Sequence, residues 1–140
     1  MKRVTDLIEA LQNKHGGISF QKICKGEGIT AIKDKLPEGC NEAVLFCDGR
    51  TVIILSDTLP HQERREKSWH AIYHILQGSP LHVHGKYSKR EDKEADIFAA
   101  LCLIPSLREG DTPDSLVERC GVSRELALVR IRYELKRSGQ

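Results

Sequence analysis

The sequence predicts an α+β fold: an N-terminal helix, a small antiparallel β meander, and then a helical half. Three observations carry this. Apolar residues recur at helical spacing near the N-terminus and again through the second half of the chain. Between them, two runs rich in Val, Ile and Leu flank the dipeptide Asp48-Gly49. At 140 residues, 39% hydrophobic and 30% charged, the chain has the composition of an ordinary globule with length for one core, read as a single domain over residues 1–140.

Val4, Leu7, Ile8 and Leu11 follow the i, i+3, i+4, i+7 rule, which predicts a helix over 5–15 stopped by Gly16-Gly17. Ile18 to Ile23 reads as a short strand, and 24–41, with its glycines, proline and charges, gives no assignable element. Residues 43–47 and 50–55 form the clearest β signal, because Asp48-Gly49 tolerates the positive φ angles of a type I′ hairpin turn. Pro60 and Gly78 bracket a helix over 60–77 whose apolar stripe is Trp69, Ile72, Tyr73 and Leu76. A loop over 78–88 leads to a second long helix, 89–104, ended by Pro105. Asp111-Thr112-Pro113 caps a short helix that breaks at Gly121, and Ser123 caps a last helix to about Arg137.

Charge and cysteine usage narrow the function classes. Twenty-two basic against twenty acidic residues, a net charge of +2, argue against a protein built around a nucleic-acid backbone or an anionic membrane. No apolar run reaches the ~20 residues of a membrane span, and Asp6, Glu9 and Gln12 interrupt the N-terminal apolar positions, so no signal peptide is read. Five cysteines without a C-x-x-C pair read as free thiols of a reducing, cytoplasmic compartment. Residues 119–140 hold six basic groups against two acidic ones, and the order helix, Gly121-Val122-Ser123, helix has helix-turn-helix character. The low overall charge and the lack of an Asn/Gln or aromatic reading face weigh against direct DNA recognition; a basic face docking an acidic or repressor-like protein partner is a reading of at least equal standing.

Four of the six histidines lie between residues 70 and 84. His70 and His74, four apart on a helix, leave the same face and can share one metal ion, though the spacing alone fits a structural or solvated pair better. Glu94 begins the apolar side of the next helix, one turn before Phe98, and reads either as a solvated first-turn acid or as an inward-facing ligand. Glu63 and Glu66, among Arg64, Arg65 and Lys67, read as a solvated charged face. His82 and His84 alternate in the loop, so at most one faces a metal; they read first as part of a polar loop, and second one of them, or Tyr87, reads as an oxyanion donor.

His70-Ala71-Ile72-Tyr73-His74, followed by Glu94-Ala95-Asp96-x-Phe98-Ala99-Ala100-x-x-Leu103-Ile104-Pro105, resembles the ImmA/IrrE zinc metallopeptidases over roughly residues 40–135. The family pattern is H-E-x-x-H on one helix and E-A-[DN]-x-F-A-A-x-L-L-x-P on the next. The resemblance implies a Zn2+ site held by His70, His74 and Glu94, with the fourth position open. It implies an endopeptidase acting on a helix-turn-helix repressor of a phage, mobile element or stress regulon. The residue after the first ligand is Glu in active members and Ala71 here, and loss of a positioned general base typically costs ~10²–10⁴ in rate. An inactivating Glu→Ala substitution and a natural pseudoenzyme both account for Ala71. The alternatives are a non-catalytic binding module for a regulator protein and a DNA-contacting accessory protein.

Overall fold

The computed structural model describes residues 2–78 and 88–139. Its elements run α1 (Lys2–His15), α2 (Phe20–Glu27), β1 (Ile29–Asp34), β2 (Glu42–Cys47), β3 (Arg50–Ser56), α3 (His61–Leu76), α4 (Lys89–Leu103), α5 (Pro113–Cys120) and α6 (Arg124–Ser138). The architecture is α+β, as the patterning predicts.

Two elements differ from the sequence reading. The Ile18–Ile23 segment is not a strand. Ser19 caps α2, its side chain accepting from the Lys22 amide, and Gly28 ends the helix in the left-handed region at φ 71°. Ile23 and Cys24 are the residues this helix buries. The sheet is mixed, not an antiparallel meander. Its order is β1-β3-β2, with β1 parallel to β3 and β2 antiparallel to β3. β1 comes from the stretch that gave no assignable element, and the hairpin places β3 in the centre. At the hairpin turn Asp48 and Gly49 have φ of 50° and 76°, as a type I′ turn requires.

β1 and β2 are both edges, and β2 exposes Leu45 and Phe46 on adjacent positions. β3 is the better buried strand: Ile53 and Leu55 point into the core, alternating with half-buried Val52 and Ile54. α3 lies against β3 and packs extensively on α4. Trp69 and Tyr73 from α3 meet Phe98 from α4, with ring centroids 6.0 and 5.3 Å apart, and Phe20 from α2 closes edge-on over Trp69 at 5.4 Å. Ala95, Ala99 and Ala100, all buried, keep the surface of α4 low where its neighbours approach. α1 covers one side of α4, and α5–α6 the other end of the helical layer.

The C-terminal pair is tied to α3 by charge. Glu66 accepts from both the backbone amide and the hydroxyl of Ser123, each at 2.6 Å, and Arg65 donates to the Gly121 carbonyl at 3.1 Å. Glu66 is therefore not a solvated charge but a helix-capping group reaching across from another helix. Glu66→Ala leaves the buried Ser123 amide without its acceptor, and is expected to cost about 1–3 kcal/mol, read as a lower midpoint in urea unfolding.

Candidate metal centre

His70 and His74 lie in the last two turns of α3; Asp92, Glu91 and Asp96 lie in the first two of α4. The α3–α4 packing turns these two short stretches toward each other. His74 is 2% exposed and His70 half-buried. The two Nε2 atoms stand 3.1 Å apart, and Oδ1 of Asp92 lies 3.3 Å from that of His70 and 2.9 Å from that of His74. Among the described residues these three form the group whose donor atoms converge within 4.8 Å.

The outer nitrogens are also engaged. Nδ1 of His70 donates to Asp96 at 2.8 Å, and Nδ1 of His74 donates to Glu91 at 2.5 Å. A proton on Nδ1 leaves the Nε2 lone pair pointing inward, the carboxylate–histidine arrangement found behind metal ligands. Two imidazole nitrogens facing each other across 3.1 Å with a carboxylate beside both is a donor set that suits a cation. Donors held at about 2.0–2.2 Å around a tetrahedral ion sit about 3.3–3.6 Å apart, a little wider than the 2.9–3.3 Å seen here. Burial by itself would lower the His70 pKa, but the hydrogen bond and charge of Asp96, with the charges of Glu42 and Asp92, more than offset it and hold the group above its ordinary value.

Glu94 does not join the triangle. Its buried carboxylate accepts from the Tyr73 hydroxyl at 3.2 Å and lies 4.0 Å from Arg3 and 3.8 Å from Arg90. Burial first, and then the charge of Glu94, push the Tyr73 phenol up to about 12, so it stays protonated and donates. The carboxylate beside both Nε2 atoms is Asp92, two residues earlier, while Glu94 reaches Tyr73 of α3 and Arg3 of α1. Ala71 is buried at 3% exposure and offers only a methyl group. His82, His84 and Tyr87 lie outside the described residues. Glu42, which the sequence reading did not single out, sits beside His70: both line a cavity of about 400 Å3 together with Glu63, Glu66, Lys67, Asp96 and Glu125. No local spacing announces Glu42, since the β2–β3 ladder alone carries it there.

No family model matches the chain, and no curated protein matches it in sequence. In fold it is similar to a Mycobacterium tuberculosis transcriptional regulator, with a TM-score of 0.67 and 17% identity. The match covers 93% of this chain and 46% of that one, so the chain spans about half the length of the regulator. This finding corrects the expectation of a zinc endopeptidase that cuts a repressor: the architecture is one that a transcriptional regulator uses, and the metallopeptidase, hydrolase and repressor-cleavage readings are withdrawn with it. Among the described residues no helix is long and apolar enough to cross a membrane.

Proposed function

We propose that this chain is a non-catalytic, metal-binding module of a transcriptional regulator. The observation that carries the reading is the pair of imidazole Nε2 atoms 3.1 Å apart, each backed by a carboxylate on Nδ1 and both beside Asp92. Two imidazoles and a carboxylate suit Zn2+ among the common divalent ions, with His70, His74 and Asp92 as ligands. Bound there, the ion ties the C-terminal end of α3 to the first turn of α4 and stabilises that junction. The ImmA/IrrE resemblance belongs to the same reading: the histidine helix and the following Glu-Ala-Asp-x-Phe-Ala-Ala helix serve as a scaffold whose catalytic Glu is replaced by Ala71. The partner is then a protein component of the regulator, held and not cut; the basic C-terminal segment offers it little free charge, since Arg130 is buried and Arg119, Arg124 and Arg137 are paired with Asp111, Asp114 and Glu134.

The test is metal content. The purified chain is expected to carry about one zinc per molecule by mass spectrometry, and His74→Ala to carry none. Zinc at a hundred times its Kd should stabilise the protein by about 2.7 kcal/mol, read as a chelator-sensitive rise in Tm. A chain that takes up no divalent metal under any loading condition would sink the reading.

A further inference from the structure

We propose that Glu42 is an outer carboxylate of the His70–His74–Asp92 centre, accepting a hydrogen bond from the solvent molecule that completes the cation's coordination. The inference rests on the metal reading above and assigns a fourth residue to the same site.

Glu42 opens β2, and its backbone is fixed in register opposite Leu55. Ser56 donates to the preceding carbonyl, that of Asn41, at 2.9 Å, so the start of the strand is anchored on β3. From this fixed root the side chain enters the cavity that His70 and Asp96 line from the helical layer. Its Oε2 is inaccessible to solvent and, among the described residues, is the one buried side-chain oxygen with no hydrogen-bond partner.

A buried carboxylate oxygen without a donor is costly, and native structures keep such groups where a ligand or an ordered solvent molecule satisfies them. Lys67 lines the same cavity and its charge favours the carboxylate, yet no ion pair joins it to Glu42. His70 is the member of the triangle that lines the cavity with Glu42. Glu42 is not one of the three converging donors, so it stands one layer out from the cation. A divalent ion in the triangle turns an uncompensated buried charge into a favourable one and supplies, through its bound solvent, the donor that Oε2 lacks.

The inference predicts opposite effects of one substitution. Glu42→Gln is expected to weaken zinc binding by about 10–100-fold in competition with a chromophoric chelator, the range typical of outer-layer partners. In the metal-free protein the same change removes an uncompensated charge, so Tm should stay level or rise. With Co2+ in the site, the visible absorption of Glu42→Gln should shift relative to the parent chain, which a merely structural role would not cause. Glu42→Asp keeps the charge but withdraws it by one methylene; it carries the test if Glu42→Gln does not fold, and its affinity should fall as well. Wild-type affinity and an unchanged Co2+ spectrum in whichever variant folds would overturn the role of Glu42 and leave the metal centre standing. A parent chain that binds neither ion would overturn both.

Discussion

Asp92→Asn is expected to weaken zinc binding by more than 100-fold while leaving the fold intact, and Glu94→Gln to change it by less than about tenfold. Asp92 is half exposed, and both its contacts in the site are to His70 and His74. Asn keeps the shape and puts a neutral amide oxygen where the proposed site has an anionic ligand, a larger loss than that of an outer partner, which is worth about 10–100-fold. An exposed change of this kind should shift stability by no more than about 0.5 kcal/mol. Glu94 is the reverse case: buried, and engaged by Tyr73, Arg3 and Arg90. Gln at this position still accepts from the Tyr73 hydroxyl, and Arg3 is half exposed and Arg90 mostly exposed, so screening limits what their attraction contributes to about 1 kcal/mol or less. The pair is read by metal titration of both variants beside circular dichroism. A larger loss at Glu94 than at Asp92 would move the centre away from the triangle described above.

Phe98→Ala is expected to destabilise the chain by about 3–5 kcal/mol, the largest effect of any single truncation proposed for this chain. Phe98 is fully buried and joins the aromatic rings of Trp69 and Tyr73. Losing its ring removes apolar area from the junction of α3 and α4 and leaves a void that Ala95 and Ala99, already small, cannot fill. The same junction holds His70 and Asp92 opposite each other, so metal affinity should fall together with Tm, and excess zinc should restore part of the lost stability. Denaturant melts with and without zinc would read both effects. A Phe98→Ala protein as stable as the parent would mean that the α3–α4 contact is not the main core.

The features legible in the sequence were those written in short range. Asp48-Gly49 announces its turn because two adjacent residues carry the needed φ freedom. His70 and His74 announce a shared face because four residues bring a helix nearly full circle. α2 was misread because eight residues make barely two turns, too few for Phe20, Ile23 and Cys24 to establish a period against the alternating look of Ile18–Ile23. The place of Asp92 beside the histidines is not legible for a different reason. Periodicity correctly placed Glu94 on the inner side of α4, where it is 2% exposed, but inner is not one direction. The angle at which α4 crosses α3 decides which of its first-turn acids meets the histidines, and that angle is set by packing between helices. Asp96 appears in the sequence motif without a role, and it acquires one only when His70 is brought against it. Glu42 carries no local signal, because its place depends on a ladder between strands.

The mixed sheet has a consequence for how the chain reaches this structure. A two-residue hairpin such as β2–β3 closes on a timescale of about 1–10 μs. β1 has no partner in β2 and must wait for β3, against which it lies in parallel across the whole intervening hairpin. Such a non-local pairing bears its loop-closure entropy before any contact compensates it. The hairpin is therefore the template, and β1 with the helix before it is the late arrival. Until β1 docks, both edges of β3's hairpin stand open and unpaired, which makes that interval the one in which the nascent chain is most exposed to wrong partners.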